Sequence, residues 1–171
     1  IPQIFTITVN PTANVVQPAD QNLCNGTTTN AVTFTGSVSG STFTWTNNNT
    51  SVGLAAGGTG NIPSFTAINT TNAPVTVTFT IIPVTFGSCN NTTYTATVIV
   101  NPTPDAVATP SSQSICNGAT ITTIALTGAV SGTVFNWTRD NTVDVTGIAA
   151  SGSGDISGAL TNTTNAPITV T

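Results

Sequence analysis

Apolar and polar residues alternate along much of the chain. Val75, Val77, Phe79 and Ile81 share one parity with threonines between them, and Tyr94, Ala96, Val98 and Val100 repeat the arrangement around Thr95 and Thr97. Val32 with Phe34, and Phe43 with Trp45, make shorter sets of the same kind. A period of two predicts strands that turn one face to a core and the other, threonine-rich, face to water. Ser39-Gly40, Gly57-Gly58 and Ser151-Gly152 punctuate these runs as turns. No stretch shows a helical period.

The pattern also repeats at long range. Tyr94-Thr95-Ala96-Thr97-Val98-Ile99-Val100 runs into Asn101-Pro102-Thr103, as Phe5-Thr6-Ile7-Thr8-Val9 runs into Asn10-Pro11-Thr12, an offset of about 91 residues. Leu23-Cys24-Asn25-Gly26 returns as Ile115-Cys116-Asn117-Gly118, Phe43-Thr44-Trp45-Thr46 as Phe135-Asn136-Trp137-Thr138, and Asn69-Thr70-Thr71-Asn72-Ala73-Pro74 as Asn162-Thr163-Thr164-Asn165-Ala166-Pro167. That offset exceeds solenoid periods and fits an array of whole domains. Several short strands in each period predict an all-β chain of tandem β-sandwiches of immunoglobulin-like size. The expected division is a closing strand of a preceding repeat, or a donor strand, at 1–10, a complete sandwich at 11–101, and a second sandwich at 102–171, incomplete at its C-terminal end. Short proline-containing linkers, Asn101 to Pro104 and the earlier copy, restrict the backbone and should hold neighbouring domains extended.

Composition narrows the reading. The chain has no His, Lys or Met, a single Arg and a net charge of −4, with 4% charged residues. Abundant Thr, Val and Ile, stiff at χ1, favour sheet over disorder. The lack of cations argues against nucleic acid and against anionic lipid as partners, and no apolar run is long enough to span a bilayer.

Cys24 and Cys116 occupy equivalent places early in each repeat, while Cys89 stands late in the first. The economical pairing is Cys24 with Cys89, worth about 4 kcal/mol in the chain-entropy picture, in an oxidising, exported location. Cys116 then calls for a partner beyond Thr171. Two explanations stay open: the residues are a window of a longer polypeptide, or the strand at 1–9 of one molecule completes the sandwich of another.

Candidate chemistry is sparse. General acid–base work would fall to Asp20, Asp105, Asp140, Asp144 and Asp155, no two of which recur as a pair in both repeats, so a catalytic site is not expected and no cofactor is implied. Asp140 aligns with Asn48 and Asp155 with Asn61, as turn formers would. Asp140, Asp144 and Asp155 are the weak candidates for a Ca²⁺ site. Trp45 and Trp137 read as core residues beside Phe43 and Phe135, with sugar stacking as the functional alternative. Asn25, Asn69, Asn136 and Asn162 begin Asn-x-Ser/Thr sequons, which arise readily in so Asn- and Thr-rich a chain.

Ser114-Ile115-Cys116-Asn117-Gly118, Phe135-Asn136-Trp137-Thr138-Arg139-Asp140-Asn141-Thr142, Val145-Thr146-Gly147-Ile148, Leu160-Thr161-Asn162-Thr163-Thr164-Asn165 and the Val-Asn-Pro-Thr hinge together resemble the PKD-like, immunoglobulin-like repeats of very large cell-surface proteins in Bacteroidota, including the gliding-motility adhesins. The resemblance implies export by the type 9 secretion system and a place in a long extracellular fibre at the cell surface. The function expected is a stalk or filament segment whose partners are neighbouring repeats of the same polypeptide and other surface or filament proteins. The alternatives are a glycan- or protein-binding module using the loop at 47–60, an accessory array of a secreted enzyme, and a filament subunit assembled by donor strands.

Overall fold

The computed structural model describes residues 2–85 and 92–171. The chain divides into two compact units, Ile1–Thr103 and Pro104–Thr171, and each is a small all-β body.

The first unit carries a five-stranded sheet. Its strands are β1 (Gln21–Cys24), β2 (Thr42–Asn47), β3 (Gly57–Thr59), β4 (Val75–Val84) and β5 (Tyr94–Asn101), in the spatial order β1-β5-β4-β2-β3. All pairings are antiparallel except β1 with β5, which run parallel with Gln21 opposite Val98 and Cys24 opposite Asn101. The predicted parity is realised: Val77, Phe79, Ile81, Ala96, Val98 and Val100 are buried, and the threonines between them face away from the core. Pro83, which has no N–H to give to a ladder, falls in the stretch of β4 past Ile81, where β2 pairs and the β5 register has ended.

A second layer lies over the inner face and closes the sandwich. It is built from short segments joined by single bridges, Thr28 with Thr66 and Val32 with Ile62, and by the bond from Val16 N to Thr35 O at 2.8 Å. Val15, Val32, Phe34, Ile62 and Ala67 from this layer meet Trp45 and the inner residues of β4 and β5 in one core. A single 3-10 turn, Thr50–Val52, is capped by Asn49, whose Oδ1 accepts from Ser51 N at 3.0 Å, and it drops Val52 into that core. The sequence showed no helical period because one turn is too short to establish one.

The second unit follows the same plan with shorter ladders. β6 (Val107–Thr109) pairs with β7 (Ala125–Thr127), β8 (Asn136–Thr138) with β10 (Ser151–Ser153), and β9 (Val145–Thr146) with β11 (Thr161–Asn162), all antiparallel. Bridges Thr120–Ala159 and Ile124–Ile156 reproduce those of the first unit. Its buried apolar residues are Ile121 and Val145.

Residues 2–10 form no strand within this chain, and Ile4, Phe5, Ile7 and Val9 are exposed; an alternating sequence becomes a strand only beside an edge that accepts its backbone. One expectation needs correction: the linker begins later than Asn101. That residue ends β5, donates from Nδ2 to Asn22 Oδ1 at 2.6 Å, and is followed by a buried Pro102.

Candidate functional site

Trp45 is a core residue and Trp137 a half-buried one. Trp45 is 5% exposed, meets Phe79 edge-on at 6.1 Å between ring centres, and lies across the β2–β3 ladder from Gly58. A Cβ at Gly58 would come within 2.7 Å of the indole Cζ2, so the ring lies flat over a position only glycine leaves empty. Trp137 stands opposite Gly152 in the same relation. Neither indole N–H has a hydrogen-bond partner among the described residues. Trp45, buried over a glycine, offers no face for a sugar. Phe43 packs half-buried against the first core and tilts toward Phe34 at 5.6 Å. Phe135 and Trp137 are half-buried, because no strand among the described residues covers Trp137 as β4 covers Trp45.

Asp20, Asp105, Asp140 and Asp155 are backbone caps, whereas Asp144 takes part through its main-chain carbonyl, which accepts from Thr163 Oγ1 at 3.0 Å. Asp155 Oδ1 accepts from Leu126 N at 2.9 Å, as Asn61 Oδ1 accepts from Phe34 N at 2.9 Å. Asp140 Oδ1 accepts from Thr171 N at 2.7 Å, as Asn48 Oδ1 accepts from Thr78 N at 2.8 Å. Asp105 Oδ1 accepts from Ala129 N at 2.6 Å, as Asn14 Oδ1 accepts from Ser37 N at 2.8 Å. In each pair the shared carbonyl-type oxygen does the work, and the charge of the acid is incidental. Asp140, Asp144 and Asp155, the calcium candidates, are not brought together, and the described residues contain no cluster of three metal-ligating acids, cysteines or histidines. Asp20 caps β5 through Thr97 N at 2.8 Å, and its hydrogen bonds to Thr97 hold its carboxyl below the usual value. Arg139, the one cation, is spent on neutral oxygens, donating from Nε and Nη2 to Ile148 O at 2.9 and 2.7 Å. Asn47, its counterpart in the first unit, likewise donates to Leu54 O and Ala55 O.

Cys24 and Cys116 are exposed free thiols. Cys89 lies outside the described residues, so its expected bond to Cys24 finds no support in the structure.

What sequence reading missed is a pair of asparagine cages. Asn69, 5% exposed, accepts through Oδ1 from Thr71 N and Thr71 Oγ1 at 2.9 and 2.7 Å, and donates from Nδ2 to Ala73 O and Val100 O at 2.8 and 2.7 Å. Its own N–H goes to Asn25 Oδ1 at 2.8 Å. The repeated motifs around Asn25 and Asn69 were the visible signal, but they resembled sequons; Nδ2 of Asn69 is committed to the backbone and closed to a glycan.

Among solved structures, protocadherin gamma B7 extracellular cadherin domains 1–4 match at 14% identity and a TM-score of 0.47, over 88% of this chain and 41% of that one. The chain thus spans about two fifths of the length of that protein. A chimeric titin Z1Z2-Z1Z2 tandem matches at 14% identity and 0.35, over 88% and 85%, and a chimeric titin Z1Z2 at 16% and 0.36, over 90% and 84%. No curated protein matches the chain. The PKD-like domain family matches residues 21–104 and again residues 109–171, so the chain belongs to that family and carries its domain twice in tandem.

Proposed function

We propose that the chain is a load-bearing, non-catalytic segment in the stalk or filament of a secreted cell-surface adhesin, exported by the type 9 route, with neighbouring repeats of the same polypeptide as its main partners. The observation that carries this reading is the parallel pairing of β1 with β5. These are the first and last strands of the five-stranded sheet, and tension on the two ends of the unit pulls β1 backward and β5 forward along one ladder. The hydrogen bonds between them are then loaded together in shear and not opened one at a time. A run at 13–16, with Ala13 and Val15 buried, must also be drawn out before the load reaches β1.

The chemistry of the caps supports the same reading. Carboxylates and amides hold backbone, and the loop at 47–60 is built of Gly, Asn, Ser, Thr and small apolar residues. No helix among the described residues is long and apolar enough to cross a membrane.

Single-molecule pulling from the two ends tests the mechanical claim. The first unit should rupture in one high-force event, and Leu23→Pro, which removes an N–H from β1 opposite Val100, should lower that force. Stepwise low-force opening of the wild type would refute it. Antibody against the chain should label intact producing cells; label appearing only after permeabilisation would refute the surface assignment.

A further inference from the structure

We propose that Asn25-Gly26 and Asn117-Gly118 are latent self-modification sites: the folded units keep them inert, and opening a unit lets each asparagine close on the following nitrogen and become an aspartyl or isoaspartyl residue. No other asparagine in the chain precedes glycine, the neighbour that hinders such a closure least because it has no Cβ. Both pairs stand at the same place in their units. Cys24 O accepts from Thr27 N at 3.1 Å and Cys116 O from Ala119 N at 3.0 Å, closing matching turns in which Gly26 and Gly118 take φ of +81° and +77°. A side chain at those angles is strained, so each turn needs its glycine and carries the reactive pair with it.

The reaction needs only water. The Gly26 nitrogen gives up its proton to solvent and bonds to Asn25 Cγ; the Cγ–Nδ2 bond breaks, and ammonia leaves with a proton taken from water. Water then opens the resulting cyclic imide at either of its carbonyls. Attack at Cγ leaves an aspartate at position 25. Attack at the main-chain carbon leaves an isoaspartyl residue, in which the backbone runs through the side chain and is one methylene longer.

In the folded units that reaction is blocked at both of its atoms. The Gly26 N–H donates to Ala67 O at 2.8 Å and the Gly118 N–H to Leu160 O at 2.9 Å, which favours the protonated amide over the anion that attacks. The carbon under attack is held as well. Asn25 Oδ1 accepts from Asn69 N and Asn117 Oδ1 from Asn162 N, each at 2.8 Å, and Asn25 Nδ2 donates to Thr103 Oγ1 at 3.1 Å. To turn back on its own backbone, either amide must first give up these bonds. Exclusion of water plays no part, because Gly26 and Gly118 are exposed; hydrogen bonds hold the pairs, and opening a unit releases them together. An isoaspartyl product does not fit the refolded turn. Asn25 N bonds Asn101 O at 2.8 Å on one side of the added methylene and Gly26 N bonds Ala67 O on the other, and the longer chain cannot keep both anchors. The proposal does not depend on the stalk reading, since it concerns the 171-residue chain in solution.

The test uses that chain with Trp137→Phe, so that Trp45 reports opening of the first unit, and with Trp45→Phe, so that Trp137 reports the second. Samples are aged at mildly alkaline pH in buffer and in a urea series, and peptide mass spectrometry with an isoaspartyl-specific methyltransferase locates the products. Conversion at position 25 should rise with the open fraction of the first unit, and conversion at 117 with that of the second. Each should be at least about tenfold faster in the unfolded chain than in buffer, because a site closed by the fold reacts through its open population. Asn25→Gln, read in urea where folding is not at issue, should remove the product at 25 and leave that at 117 unchanged. After dilution out of urea, molecules isoaspartyl at 25 should be absent from the fraction whose first unit has refolded. Equal rates in buffer and in urea, products spread evenly over asparagines that do not precede glycine, or isoaspartyl molecules that refold would overturn the proposal.

Discussion

Replacing Asn69 by Ala isolates the contribution of one cage. The change removes four side-chain hydrogen bonds at a residue 5% exposed. Thr71 and Ala73 are themselves exposed, so their groups turn to water at a cost of a few tenths to 1 kcal/mol together. The Val100 carbonyl belongs to a residue with no exposure, and leaving it short of a partner costs about 1–3 kcal/mol. The sum is about 1–4 kcal/mol. Asn69→Asp should be at least as damaging, since it keeps both acceptors but sets a carboxylate against two carbonyls. Asn162→Ala, which loses only the solvent-side bonds, should cost about 1 kcal/mol. Each unit holds one tryptophan, so urea unfolding can be followed through Trp45 in a Trp137→Phe background, and through Trp137 in the reciprocal one. Equal losses for Asn69→Ala and Asn162→Ala, or a loss below about 1 kcal/mol for the former, would refute the assignment of the main cost to the buried carbonyl.

Other changes probe the remaining features. Gly58→Ala should destabilise the first unit by about 1–3 kcal/mol, because the new Cβ meets the Trp45 ring; an unchanged denaturation midpoint would contradict this. Asp155→Asn should leave the second unit within about 0.5 kcal/mol of wild type while Asp155→Ala costs about 1 kcal/mol, as expected of a cap in which only the oxygen matters; equal effects would show that charge counts. Asp20 has a carboxyl held below its ordinary value, so its contribution is complete above the unfolded pKa and fades as pH falls through the folded one. Asp20→Asn should flatten the acid limb of the stability profile, and an unaltered limb would speak against the Thr97 bonds. Both Cys24 and Cys116 should react at once with an alkylating reagent in the native protein; protection of Cys24 would instead support its pairing with Cys89.

The strands of the first unit were legible because a period of two in Val, Ile, Phe and Thr has a single physical meaning when one face is buried, and Val77 to Ile81 and Ala96 to Val100 are buried on the predicted parity. The core place of Trp45 was legible for the same reason. Its partner Gly58 was not, since the sequence shows a turn-like Gly-Gly and only the β2–β3 register sets it beneath the ring. The parallel pairing of β1 with β5 was equally hidden, because a local pattern says which side faces inward and nothing about which distant strand lies alongside. Residues 2–10 mark the limit of the method: their pattern is that of β5, but a strand is completed by its neighbour. The caps could have been read further. Asn48 opposite Asp140 and Asn61 opposite Asp155 already indicated that an oxygen was wanted and a charge was not.

The way Arg139 is satisfied has a consequence for the medium in which the folded units can persist. The one cation bonds carbonyls, and the capping aspartates bond amides. Attraction between opposite full charges is what dissolved salt screens, and these bonds do not depend on it. The folded units should therefore hold about equally well in fresh water and in brine.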